Sequence, residues 1–401
     1  METGFIITIT LNNFEKTFST AFTLIGFEVP TAIIILSPIV ILFKVISLYF
    51  LMNYKERQRR LLRLIEEKEM DGIVVISNEN IFYLTGAPLN CDKFLYLSSN
   101  GNLYIITNEL NYQEIKDSVE DINVIKTENF VEEIKKLGKR IGFENKKISF
   151  YTYEELKKDL ELIPINGYIE EMREVKDEYE IKQIENSQKI TEKSLEECLK
   201  EIKIGMSELE IVAKIEYFMR IYGAESYAFD SIVLSGIRCI YPHGRPTKKI
   251  IEKNEGIIID IGARYNGYCS DMTRTIFIGE PNKNIIDIYY AVKYAQEEAI
   301  KNAKPGITGK ELNEIAINIL KEYKLEKYFN HGLGHGVGIN VHEGPFINRK
   351  QEKKLKCGNV ITIEPGVYIP KIGGIRIEDI ILITENGNKN LTSFEKTLIM
   401  L

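Results

Sequence analysis

Histidine is scarce in this sequence. There are four in 401 residues, and none precedes His243. Chance in a histidine-poor composition is one reading. The sharper one is that His243, His331, His335 and His342 are kept where chemistry needs an imidazole. Cysteine is sparse as well: Cys91, Cys198, Cys239, Cys269 and Cys357 are odd in number, and no two have CxxC spacing. That excludes a disulfide framework and a thiolate zinc site, and it fits a reducing, cytoplasmic compartment. A basic excess is missing too. With 52 Lys and Arg against 58 Asp and Glu, the net charge is −6, which excludes a nucleic-acid-binding surface. What is present, 44% hydrophobic and 27% charged residues, is the balance of a globular chain with room for two domains.

A long apolar, uncharged run lies near the start. Val29 to Phe43 carries no charge, and after Lys44 the apolar sequence resumes to Met52. This is about long enough to cross a bilayer, although Pro30 and Pro38 weaken a membrane helix. The late apolar core and the leading Glu2 and Glu15 fit a secretory signal poorly. Lys55 to Arg60 (KERQRR) forms the basic flank expected on the cytoplasmic side. Two readings of residues 1–51 stand. Either residues 21–52 touch a membrane and anchor a cytoplasmic enzyme, or Met52 is the true start.

Residues 52–172 read as a smaller α/β domain. Tyr54 to Glu69 is patterned as an amphipathic helix with Leu61, Leu62, Leu64 and Ile65 on its apolar side. DGIVVIS (Asp71–Ser77) reads as a buried strand. KFLYLSS and NLYIIT form a hairpin around Asn100–Gly101. Helices are expected near Asn129–Lys139 and Tyr153–Leu160, with KKISFY (Lys146–Tyr151) as a strand between them. With no histidine and no dense acidic motif, this domain is expected to cover a neighbouring active site or to mediate assembly as a homodimer.

Residues 173–401 read differently. A charged helix, Lys176 to Ile202, opens an internal repeat. IKIGMSELE (Ile202–Glu210) resembles AKPGITGKEL (Ala303–Leu312), and in each a hydroxyl, Ser207 or Thr308, precedes Glu210 or Glu311 by three residues. Both are capping boxes. β-Branched segments follow each repeat: GIIIDIG and YCSDMTRTIFIG after the first, NVITIEP and GIRIEDIILIT after the second. The fold class is therefore α+β, with two helix-plus-strand halves sharing one mostly antiparallel sheet.

Four carboxylates lie in this apolar sequence. A two-residue turn at Asn266–Gly267 pairs Tyr265 with Tyr268, sets Asp260 opposite Thr273, and leaves Asp271 one diagonal step away on the same face, roughly 7–8 Å off. Two such charges among apolar neighbours are costly without a cation. Glu364 ends NVITIE before Pro365 and Gly366 turn the chain. By alternation, Arg376 and Glu378 share one face of the final strand. His335 lies in HGLGHGVGINVHE, whose spacing does not match HExxH. Four acids and an imidazole form an oxygen-rich site that favours manganese or a similar ion. Two such ions roughly 3.5–4 Å apart would make water nucleophilic. Glu364 is placed to serve as general base, with His243 and His342 as hydrogen-bond donors to a tetrahedral oxyanion and a leaving nitrogen.

At these segments the chain resembles the pita-bread metallopeptidases, in the Xaa-Pro aminopeptidase and Xaa-Pro dipeptidase (prolidase) branch. The resemblance is carried by SYAFDSIVLSG–YPHG, DIGARYNGYCSDMTRT, HGLGHGVGINVHEGP, TIEPGVY and GIRIEDIILIT, in order over Arg173 to Leu401. Arg57 to Ile169 is similar to a creatinase/prolidase-type N-terminal domain. The resemblance implies a pita-bread C-terminal domain with two pseudo-symmetric halves around a curved sheet. It implies Asp260, Asp271, His335, Glu364 and Glu378 as ligands of two divalent ions (manganese, with cobalt or zinc as alternatives). It gives His243 and His342 catalytic roles and makes His331 and Arg376 substrate-binding residues, Arg376 alternatively being a structural ion-pair partner of the acids. The implied substrates are peptides with proline at the second position. One departure is Cys239–Ile240, where relatives commonly carry a small pair such as Ser-Ala, which leaves the preference for the first residue open. A non-catalytic peptide-binding module of the same fold is the competing class, disfavoured by the intact ligand set.

Overall fold

The computed structural model describes residues 38–401, with side chains from Asn53 onward. Arg57–Leu401 forms one compact unit. The leader's apolar run lies outside the residues whose side chains are described. Among the described residues no helix is long and apolar enough to cross a membrane. The helix Pro38–Glu67 ends by burying Leu61, Leu64 and Ile65, the apolar side read from the sequence.

The N-terminal lobe is a six-stranded sheet. Lys93–Ser98 pairs antiparallel with Leu103–Thr107, as the Asn-Gly signal predicts, and with Gly72–Val75 on its other side. Parallel strands flank that core: Asn123–Lys126 on one side, Arg140–Phe143 and Glu161–Pro164 on the other. One expectation fails here. Lys146–Tyr151 is not a strand; the strand lies earlier, at Arg140–Phe143, and Ser149 N-caps the helix Phe150–Leu156 by accepting from the Thr152 amide. The hydroxyl's local bond overrides the β propensity of the isoleucine and aromatics around it.

The C-terminal lobe consists of two alike halves. In the first, the helices Glu178–Leu199 and Glu208–Ile221 pack on Ile257, Ile259, Ile261, Met272 and Ile276. In the second, Lys283–Asn302 and Gly309–Glu322 pack on Ile361, Ile363, Val367, Ile375 and Ile381. Both capping boxes form. The likeness extends to the backbone: Gly205 and Gly306 take φ of 92° and 91°. Their amides donate to the carbonyls of Ile251 and Leu355, and Ser207 and Thr308 bridge to Ile250 and Lys354. The residue pattern of the two boxes thus marks a repeated structural unit.

The shared sheet of the expectation is present as four antiparallel pieces. Two segments expected as single strands are broken. YCSDMTRTIFIG divides into Tyr268–Cys269 and Met272–Ile278, and GIRIEDIILIT into Gly373–Arg376 and Asp379–Thr384. The breaks fall at Ser270–Asp271 and Ile377–Glu378, where the chain leaves one ladder to aim a carboxylate inward. The Glu378 amide is satisfied there by the Thr273 carbonyl at 3.1 Å. The predicted register survives these breaks: Tyr265 faces Tyr268 and Asp260 faces Thr273. The turn between them is pinned from the N-terminal lobe. Gly267 has φ of 79° and lies against Phe82, so a side chain there meets both strain and a clash.

Candidate metal centre

A cleft of about 530 Å³ in the C-terminal lobe is lined by every site residue expected from the sequence. Asp260 and Asp271 come from the first half; His331, His335, His342, Glu364, Arg376 and Glu378 come from the second. Ligand atoms of Asp271, His335 and Glu378 all lie within 4.8 Å of one another. His335 Nε2 is 3.3 Å from Glu364 Oε1 and 3.6 Å from Asp271 Oδ2. His335 Nδ1–H donates to the Gly336 carbonyl at 3.1 Å. That bond commits Nδ1 and turns Nε2 towards the acids, where it carries a proton to Glu364 when no metal is bound or gives its lone pair to a cation.

Electrostatics describe the same site. Burial and the repulsion of Glu378, Asp260 and Glu364 push Asp271 well above the ordinary carboxyl range. Burial, then Glu364 and Asp260, do the same to Glu378. Asp260 is raised by burial against the opposing pull of Arg376. Glu364 moves the other way. Burial would raise it, but its bond to His335 and that ring's charge hold it down at about 2. One Asp260 oxygen, Oδ1, is buried without a hydrogen-bond partner among the described residues. An orphaned carboxylate oxygen beside mutually repelling acids is the arrangement a divalent cation completes.

Binding a cation there must expel protons from Asp271 and Glu378. Their native pKa values are raised, so the metal-free native state holds more protons than ordinary carboxyls do above pH 4. The expected result is metal affinity that climbs as pH rises above the ordinary carboxyl range, with net proton release on metal binding. Calorimetric titration with Mn²⁺ in two buffers of different ionisation enthalpy measures that release. Zero release contradicts the electrostatic picture.

Sequence reasoning missed the hydrogen-bond scaffold around the acids. Thr273 Oγ1–H donates to Glu378 Oε2 at 2.7 Å and accepts from Arg376 Nε at 3.1 Å. Thr273 faces Asp260 in the predicted register, a signal that was available. Arg376 Nη2 donates to Asp260 Oδ2 at 2.6 Å and Nη1 to Tyr368 Oη at 2.8 Å. His331 Nδ1–H donates to the Gly332 carbonyl, so its Nε2 accepts from Tyr368 Oη at 3.0 Å. Arg274, fully buried, donates to the Glu378 carbonyl at 2.6 Å and to Asp379 Oδ1 at 2.8 Å. His342 stacks edgewise on His335 with centroids 4.1 Å apart. Burial and the neighbouring His335 lower it to about 4, so it is neutral at pH 7.

This chain belongs to metallopeptidase family M24, whose model matches residues 182–385, and residues 57–175 match the creatinase/prolidase N-terminal domain. A Xaa-Pro dipeptidase from Pyrococcus horikoshii is 43% identical over 350 residues, 86% of this chain and 99% of that protein. Two solved structures overlay it closely. A Xaa-Pro dipeptidase from Bacillus anthracis has a TM-score of 0.82 and 34% identity, over 87% of this chain and all of that one. An X-Pro aminopeptidase from Thermotoga maritima has a TM-score of 0.81 and 34% identity, over 86% of this chain and 99% of that one. Family membership brings a requirement for divalent metal, and the carboxylate–imidazole cluster is where this chain has the donors for it.

Proposed function

We propose that this protein hydrolyses the peptide bond before proline, releasing the first residue from Xaa-Pro peptides or dipeptides, with Asp260, Asp271, His335, Glu364 and Glu378 holding two divalent ions. The observation that carries the reading is the convergence of Asp271, His335 and Glu378 beside the orphaned Asp260 oxygen. Relatives named as Xaa-Pro dipeptidases and an X-Pro aminopeptidase support the substrate class. The oxygen-rich donor set favours manganese, with cobalt or zinc as substitutes. Bound there, such ions supply Lewis acidity and make water acidic enough to attack at neutral pH.

The chain's own groups do the rest. Glu364 is ionised at neutral pH and accepts the proton of the attacking water. His342, neutral and facing the cleft, donates an N–H to the tetrahedral oxyanion, and His243 assists the leaving nitrogen. The Arg376–Tyr368–His331 chain orients the substrate side of the cleft. Arg376 is spent on Asp260, Tyr368, Thr273 and the Pro242 carbonyl, so its part is to fix the wall that substrate meets. Five free cysteines, four of them buried, support the cytoplasm as the working compartment.

The test is hydrolysis of Ala-Pro and Ala-Pro-Ala by chelated and Mn²⁺-reloaded protein, with Ala-Ala as control. Metal-dependent cleavage confined to the proline substrates is expected, and the ratio of the first two separates dipeptidase from aminopeptidase. Metal-independent cleavage, or none, overturns the reading.

A further inference from the structure

A buried charge cluster outside the metal ligands lies directly behind His342. Glu343 opens the strand Glu343–Ile347 and is 9% exposed. Its carboxylate faces two cations from the junction between the lobes. Arg173, 2% exposed at the end of the helix Tyr168–Arg173, donates Nη2 to Glu343 Oε2. Lys176, 4% exposed, places Nζ 2.9 Å from Glu343 Oε1. Burial would raise the Glu343 carboxyl, yet Arg173 and Lys176 hold it below the usual range, so the cluster is charged. Glu343 Oε2 also accepts from the Asn340 amide at 3.2 Å, closing the loop that carries His342. Gly338 opens that loop, and a Cβ there would run into the Glu343 carboxylate. The other end of Arg173 reaches into the N-terminal lobe. Nη1 donates to Asn80 Oδ1 at 2.8 Å, and Asn80 Nδ2 donates to Glu144 and to Glu170.

Two charges from one segment on one carboxylate of another fix a backbone position more tightly than packing does, because releasing any member strands a buried charge. The residue so fixed is the one after His342. We infer that Glu343, clamped by Arg173 and Lys176, is a positioning residue that holds His342 over the metal centre, and that Asn80 makes the N-terminal lobe part of this alignment. The inference rests on the catalytic role proposed for His342 and adds to it how the ring is aimed and why the lobe without histidine matters to the reaction.

A double-mutant cycle tests it. Arg173→Ala is expected to lower kcat by about 10- to 50-fold with KM within about 3-fold and metal content unchanged, the signature of a misplaced group. Arg173→Lys, which keeps a charge, recovers most of kcat. Glu343→Gln, nearly isosteric, behaves like Arg173→Ala and covers the case in which that variant does not fold. In a His342→Ala background, Arg173→Ala or Glu343→Gln costs less than about 3-fold more, because the group they act through is gone. Full additivity of the losses, or unchanged kcat in folded single variants, overturns the inference. If His342→Ala alone leaves kcat intact, the assignment of His342 has failed, and the inference falls with it for that separate, visible reason.

Discussion

Asp271→Ala is expected to remove activity while making the metal-free protein more stable. Asp271 is 4% exposed, within 4.8 Å of the His335 and Glu378 donor atoms, and repelled by Glu378, Asp260 and Glu364. Deleting it takes away a donor that no neighbour replaces, since Asp260 already gives one oxygen to Arg376. kcat/KM should fall more than about 1,000-fold, roughly 4 kcal/mol of transition-state stabilisation. The same deletion relieves like-charge repulsion. A carboxyl whose native pKa is raised loses stability for the fold as pH rises past the ordinary carboxyl range, so at pH 7.5 the metal-free variant should melt above metal-free wild type. Wild type should regain the difference on adding Mn²⁺, and the variant should not. Elemental analysis, thermal melts with and without Mn²⁺, and Ala-Pro hydrolysis read out all three. Near-normal activity in the variant contradicts the ligand assignment.

His342→Ala should separate chemistry from metal binding. The ring lines the cleft and contacts His335, but it is not among the clustered donor atoms. Loss of one preorganised donor to an oxyanion costs on the order of 100-fold in kcat. Metal content should remain that of wild type. Because burial and His335 hold the ring neutral down to about pH 4, the fold-loss should stay flat from pH 6 to 8. A variant that has lost its metal would place His342 among the ligands instead.

Much of this site was legible because its signals are local. The Asn-Gly turn and strand alternation set Asp260 opposite Thr273 without tertiary knowledge. The two capping boxes announced a repeat that the backbone bears out to within a degree of φ at Gly205 and Gly306. What stayed hidden is decided by distant partners. Nothing near Arg173 in the sequence points to Glu343, 170 residues away. Arg274 reads as an ordinary strand residue until the second half folds over it, and Tyr368 until His331 and Arg376 of its own half reach its hydroxyl. Strand breaks at Asp271 and Glu378 were illegible because composition there is as β-prone as in the unbroken ladders. Only the competing need to point a carboxylate inward ends the pairing.

The seam between the two halves has a further consequence. Arg376 to Asp260, Glu378 to Thr273 and Arg274 to Asp379 each tie one half to the other. The acids that would hold the cations are likewise divided between them. Either half alone therefore owns an incomplete coordination sphere and a set of cross-linking groups with nothing to grip. Catalytic competence is then an all-or-nothing property of the assembled pair, and a half-finished or nicked chain is an inert peptidase until its complement docks.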